Sequence, residues 1–208
     1  MIIYLDGENV VHQLMDVLRR TRRLKNRDDL LKVDVVGLIK RLVGASDASI
    51  KYYTTVIGNA PDDEELEKRR QEILAWTEQW LAHLQKQGIN TIEAGHLRAR
   101  DGYACKNCGF QQAVFREKGV DVRLAVDLVV DSEHDKNLVI WSSDADLLPA
   151  VEVIKQRGAR VKILAHKDSL TWPLAREAEE WQTYTDRQLL RAFDNEPAEP
   201  NAPEYSNS

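Results

Sequence analysis

Two short apolar runs in this chain end in carboxylates, and each leads into a helical pattern. Met1-Ile2-Ile3-Tyr4-Leu5 runs into Asp6-Gly7-Glu8-Asn9, and Asn137-Leu138-Val139-Ile140-Trp141 runs into Ser142-Ser143-Asp144-Ala145-Asp146. A buried strand, an acidic turn and a helix in succession are how an open α/β sheet presents ligand-binding groups at the carboxyl ends of its strands. If the two strands are neighbours, their carboxylates converge. Converging carboxylates repel one another, and hard divalent cations relieve that repulsion. The pattern therefore points to metal-assisted chemistry on phosphates.

The rest of the chain alternates in the same way. Strands are expected at 2–5, 49–57, 89–94, 137–142 and 160–165. Helices are expected at 9–20, 34–43, 63–87, 120–131, 145–157, 170–179 and 186–193. The long helix opens on Asp62, Asp63, Glu64 and Glu65, acids suited to a helix N-terminus, and repeats Ile73, Trp76, Trp80 and Leu84 on one face. Strands separated by helices predict a mostly parallel sheet with helices on both faces. The simplest right-handed winding runs outward from strand 1 and then returns, placing strand 137–142 on its other side. Asp6 and Asp144 would then flank the topological switch point. Residues 95–117 show neither period and are expected to be irregular.

The 208 residues make one domain, and 43% hydrophobic content fills a core. The net charge of −5 is unevenly placed: residues 194–208 hold four acids, no bases and three prolines. They read as a disordered acidic tail after a domain spanning 1–193. Without the tail the body is near neutral, so any nucleic-acid contact has to come from a local basic patch. No apolar run approaches the length of a membrane span, and no signal-peptide pattern opens the chain. Two cysteines make no disulfide scaffold. A soluble, cytoplasmic protein is expected, with no membrane partner.

A third acidic element lies between the two turns. Glu117-Lys118-Gly119-Val120-Asp121 precedes an apolar stretch that contains Asp127. Gly119 provides the turn, and Asp121 enters the first turn of the new helix. Asp127 is about 240° further around the axis. It cannot share a face with Asp121, and is either a paired structural acid or a secondary ligand. Lys118 could neutralise a carboxylate, touch a substrate phosphate, or stand solvated. Asp6 and Asp144 could each also serve as helix caps.

Arg19, Arg20, Arg22, Arg23, Lys25 and Arg27 crowd one nine-residue stretch without an acid. This run is a candidate phosphate-backbone surface, the alternative being a solvated helix end. Cys105 and Cys108 form a CxxC, half of a structural zinc site. His96 could add a ligand, and a second chain could supply the rest across a homodimer. The alternative is two free thiols. Of the five tryptophans, only Trp141, one residue before an acidic turn, is expected near substrate.

Taken in order and spacing, LDGEN, EKGVDVRLAVDLV and VIWSSDADLLPAVEVIKQRGARVKIL resemble the NYN domains of the PIN-like nuclease superfamily, in particular their LabA-like branch. Leu174-Ala175-Arg176-Glu177-Ala178 followed by a short strand resembles that branch too. The resemblance covers residues 1–193. It implies a PIN-like three-layer α/β sandwich and a Mg²⁺- or Mn²⁺-dependent endonuclease acting on RNA, expected to be single-stranded. By position, Asp6, Asp121, Asp144 and Asp146 match the acidic motifs, and Asn9 the family's frequent asparagine. Many PIN enzymes carry a glutamate on an early helix, yet helix 34–43 offers no acid after Asp34; Asn9 or Glu8 could substitute. That gap leaves a second reading, an RNA-binding or regulatory module with the same fold and weak or absent catalysis. A haloacid-dehalogenase-like phosphatase would need an aspartate where Glu8 stands. A topoisomerase-primase-like site would leave Asp6 without a role.

Overall fold

Strand β1 (Ile2–Asp6) is buried along nearly its whole length, with its residues alternating between two cores. Ile3 and Leu5 join one cluster with Val139 and Trp141, while Tyr4 joins a second with Leu138 and Ile140. A parallel strand covered on both faces reads as an unbroken apolar run for this reason. The computed structural model describes residues 1–44, 47–58, 64–102, 106–109, 113–196 and 206–207.

Within these residues the elements are β1, α1 (Gly7–Arg20), α2 (Val35–Val43), β2 (Ser49–Ile57), α3 (Glu64–Lys86), β3 (Asn90–Asp101), β4 (Ala113–Lys118), α4 (Val120–Asp131), β5 (Asn137–Trp141), α5 (Leu148–Gln156), β6 (Arg160–His166), α6 (Trp172–Ala178), β7 (Glu179–Tyr184), α7 (Asp186–Phe193) and β8 (Ser206–Asn207). The sheet order is β4-β3-β2-β1-β5-β6-β7-β8. The six inner strands run parallel, while β4 and β8 pair antiparallel at the two edges. Helices α1, α2, α3 and α7 cover one face, and α4, α5 and α6 the other. The result is the expected three-layer α/β sandwich of PIN-like type. Its winding places β5 beside β1, with Leu5 in register with Trp141.

Three local readings change. Residues 95–117 are not irregular throughout: β3 continues to Asp101, and β4 returns from Ala113 to Lys118. Gly95, at φ +66°, makes this possible, because a Cβ there would lie 2.4 Å from the Lys118 carbonyl oxygen. The basic loop after α1 holds a 3-10 helix, Arg27–Lys32, capped by Asn26. The helix expected at 145–157 is a 3-10 turn, Ala145–Leu147, followed by α5, with Pro149 in its first turn. Of the expected tail, 197–205 and 208 lie outside the described residues, while Ser206–Asn207 pair with β7. No described helix is long and apolar enough to cross a membrane.

Candidate functional site

Gly7 lets α1 start directly from the end of β1. A Cβ at this position would lie 2.2 Å from the Tyr53 carbonyl oxygen and 2.9 Å from the Tyr52 ring, so only glycine lets the helix start so close to β2. The consequence is a buried Asp6 acting as the helix N-cap, its Oδ1 accepting the Asn9 backbone N–H at 3.3 Å. Its other oxygen accepts a 2.7 Å hydrogen bond from Ser142 Oγ, in the turn after β5. The two acidic turns are thus joined across the switch point.

A polar network fixes the second turn. Asn9 Oδ1 accepts the Ser143 backbone N–H at 3.1 Å and a bond from Gln13 Nε2 at 2.9 Å. Gln13 Nε2 also reaches Ser143 Oγ at 3.0 Å. The Gln13 Oε1 accepts from Trp141 Nε1, the Tyr184 hydroxyl and the His166 backbone N–H. Ser142 Oγ accepts the Asp144 backbone N–H, and Asp144 Oδ1 in turn accepts that of Asp146. On the far side, Thr171 Oγ1 donates to the Ser143 carbonyl. Hydrogen bonds from three elements thus hold the turn in one arrangement, which is what a preorganised site requires.

Asp6, Asn9, Gln13, Ser143 and Asp144 line a cleft of about 340 Å³. Its carboxylates come from Asp6, Glu8, Asp16, Glu117, Asp121 and Asp144, with Asn9, His12 and Gln13 from α1, and among the described residues no lysine or arginine lines it. The electrostatics follow from that imbalance. Burial pushes the Asp6 carboxyl up to about 6, against the bonds from Ser142 and Asn9, and the charges of Asp121 and Asp144 add to the rise. Glu117 is pushed up to about 7 by burial and then by Glu8, Asp121 and Asp6. Asp121, at the start of α4, is raised by partial burial and by Asp144, Asp146 and Glu8. A pocket of mutually repelling carboxylates, rich in oxygen donors, suits a hard divalent cation such as Mg²⁺ or Mn²⁺.

Asp6, Asn9, Asp121 and Asp144 therefore meet, as the sequence suggested. Asp146 stands exposed beside Asp144, off the cleft wall, and its charge reaches Asp121. Asp127 is elsewhere: it accepts from the Tyr53 hydroxyl and from Arg123 Nε, both at 2.9 Å. Sequence reasoning passes over two residues. Glu117, on β4, brings a further carboxylate to the cleft, whereas Asp34 only caps its own helix. Gln13 is the hub of the network; its place four residues after Asn9, on the buried face of α1, was the available signal. Trp141 is fully buried against Tyr184, part of the core and not of a substrate wall.

The basic run begins at the other end of α1, about 20 Å along the helix axis from Asp6. Arg20 is held by Asp186 at 2.9 Å and Asp168 at 3.0 Å, and Arg23 by Asp194 at 3.0 Å. Arg19 pairs with Asp16 on the same helix, while Arg22 and Lys25 are exposed. Lys118 is exposed on β4, in register with His96 of β3, and is not part of the cleft wall. Cys108 is exposed in a turn, and Cys105 lies outside the described residues, as does any zinc site built on the pair. His166, Asp168 and Asp186 bring ligand atoms within 4.8 Å of one another. The Arg20 guanidinium already lies among them, 2.8 Å from His166 Nε2, so that cluster has its cation. Burial, then the Arg20 charge, lowers the His166 pKa.

Comparison with known structures finds the fold elsewhere. A protein of unknown function from Vibrio parahaemolyticus matches at 18% identity with a TM-score of 0.50, over 86% of this chain and 89% of that one. Phosphofructokinase-2 from Escherichia coli matches at 16% identity with a TM-score of 0.35, over 78% of this chain and 52% of that one. No curated protein matches. The profile of the NYN domain matches residues 1–185, from β1 to the end of β7, and the chain belongs to the NYN domain family.

Proposed function

We propose that this protein is a Mg²⁺- or Mn²⁺-dependent endoribonuclease that hydrolyses phosphodiester bonds of single-stranded RNA, of the LabA-like branch. The observation that carries the proposal is the cleft itself: carboxylates from β1, β4, α4 and the β5 turn converge, and among the described residues no lysine or arginine lines the cleft to balance them. Asp6, Glu117, Asp121 and Asp144 would hold the metal, with Asp146 at the rim. When bound, the ion supplies Lewis acidity at a scissile phosphate and lowers the pKa of a water.

The chain's own residues do the rest. Ser142 and the Asn9 N–H hold Asp6 in one orientation, and Ser142 Oγ takes the Asp144 N–H. Asn9 and Gln13 lock Ser143, so the β5 turn cannot swing Asp144 away. Asp6 and Glu117 have raised pKa values while the cleft is metal-free, and both must lose their protons to serve as ligands. Cleavage should therefore strengthen as pH rises through about 7. NYN domains are generally nucleases, and that membership supports RNA as the substrate.

The test is cleavage of end-labelled single-stranded RNA by the full chain with Mn²⁺, against chelator and Asp144→Asn controls. Loss of cleavage in both controls supports the reading. Specific RNA binding without any metal-dependent cleavage would favour the regulatory module instead.

A further inference from the structure

Beside the acidic cleft lies a second, larger depression of about 530 Å³. It shares Glu8, His12, Asp16 and Glu117 with the cleft, so the two are continuous. One wall is the outer face of α1, where Glu8, His12, Asp16 and Arg19 follow one another at helical spacing. The opposite wall is α3, through Ile73 and Trp76, and the floor is Tyr52 of β2 and Phe115 of β4. The groove therefore carries the acids it shares with the cleft, aromatic rings, and two arginines, Arg19 and Arg27.

Arg27 makes the informative contact. The Arg27 guanidinium lies over the Trp76 ring, 3.5 Å from its centroid. It has no carboxylate partner among the described residues. Partial burial lowers its pKa, so its charge is incompletely solvated. Arg19, on the same groove, has an exposed 3.2 Å pair with Asp16. A guanidinium stacked on an indole and lacking a counter-ion is complementary to an anion, and its free face is a platform for a flat ring. A nucleotide offers both.

We propose that this groove is a nucleotide-binding subsite of the same active site, taking the RNA residue next to the scissile phosphate. Its base lies between the Arg27–Trp76 stack and Phe115, and its outer phosphate meets Arg27 and Arg19. The proposal rests on the ribonuclease reading and deepens it by naming the residues that take the nucleotide beside the scissile phosphate. Stacking is tolerant of base identity, so little sequence preference is expected from this subsite.

The test uses the full-length chain carrying Asp144→Asn, so that RNA survives. A 5-iodouridine-substituted RNA hexamer is bound with Mg²⁺, cross-linked and mapped, and its affinity is measured across a salt series. Cross-links should fall on Trp76, Phe115 or Met15. Arg27→Glu should weaken binding about tenfold and reduce the log–log salt slope by roughly 0.7. Arg27→Lys should restore the slope more fully than the affinity, since lysine keeps the charge and loses the stack. If Arg27→Glu fails to fold, Phe115→Ala and the cross-link map decide. A hexamer that binds with cross-links elsewhere and an unchanged Arg27→Glu affinity removes the subsite but leaves the nuclease. A chain without Asp144→Asn that neither binds nor cuts any RNA with Mn²⁺ removes both.

Discussion

Asn9 accepts the Ser143 backbone N–H through its side-chain oxygen at 3.1 Å, so the start of α1 and the turn after β5 move as one body. The same oxygen takes Gln13 Nε2, which also touches Ser143 Oγ. Asn9 thus acts through Asp144 by holding the turn that carries it. Asn9→Ala leaves the Ser143 N–H unpaired and should cost about 1–2 kcal/mol of stability. It should lower cleavage at saturating metal. Asn9→Asp should instead keep an acceptor for the Ser143 N–H and, once ionised, lower the metal requirement, because it adds a further carboxylate for the cation to compensate. Denaturant titration and cleavage at graded Mn²⁺ concentrations distinguish the two variants.

Asp144→Asn separates charge from shape. The substituted side chain keeps an oxygen for the Asp146 N–H that Asp144 Oδ1 now accepts at 2.9 Å. It removes one of the charges that raise the pKa of Asp6 and Asp121. Cleavage should fall to background while the metal-free protein gains stability, by roughly 2–4 °C in Tm for each ~1 kcal/mol of repulsion relieved. Calorimetry without metal is the check, and an unchanged or lower Tm would mean that the carboxylates do not repel as their pKa values imply.

Much of this site was readable in the sequence, for a physical reason. β1 and β5 are buried on both faces, so each appears as an unbroken apolar run, and the acid at its end stands out. Asp6 and Asp144 follow from that pattern. Glu117 does not, because β3 and β4 form the edge of the sheet. There His96, Arg98, Arg116 and Lys118 are exposed, and no apolar run announces a strand. The pairing depends instead on Gly95 and on hairpin register, neither of which hydropathy reports. The basic run is a related case: composition shows six cations, but only packing shows that Asp168, Asp186 and Asp194 pair with Arg20 and Arg23.

The basic run should therefore divide by mutation. Arg20 bridges two carboxylates over the buried His166 ring, so Arg20→Ala should cost about 1–2 kcal/mol, the pairs being partly exposed. Its effect on RNA affinity should be small. Arg22 and Lys25 are exposed, and Arg22→Glu with Lys25→Glu should leave stability unchanged. If they touch phosphates, the salt slope of RNA affinity falls by roughly 0.7 for each phosphate no longer neutralised. Urea titration and anisotropy on the same samples give both readings. An RNA defect in Arg20→Ala without a stability defect would reverse the assignment.

Glu117 gives the pH dependence that is easiest to isolate. Its carboxyl rises from an ordinary value of 4.5 to about 7, through burial and then Glu8, Asp121 and Asp6. A carboxyl raised on folding binds its proton more tightly in the native state than in the unfolded one. The stability it contributes is present below the unfolded value and is lost as pH rises through about 7. Other groups titrate nearby: Asp6, raised to about 6, acts in the same direction, the lowered pKa of His166 works in the opposite direction below 6.5, and Asp29, held at about 2 first by Lys32, acts only in stronger acid. Comparing wild type with Glu117→Gln cancels His166 and Asp29, and leaves Asp6 common to both proteins. Without metal, the variant and wild type should have similar Tm at a pH of about 5, and the variant should be the more stable at about 8, on either side of the Glu117 titration. Adding Mg²⁺ at the higher pH should reverse the order, because the cation compensates the ionised glutamate and finds one ligand fewer in the variant. A Tm difference that stays constant across that range would show that Glu117 is already ionised at low pH, and that the cleft carries less strain than its crowded acids imply.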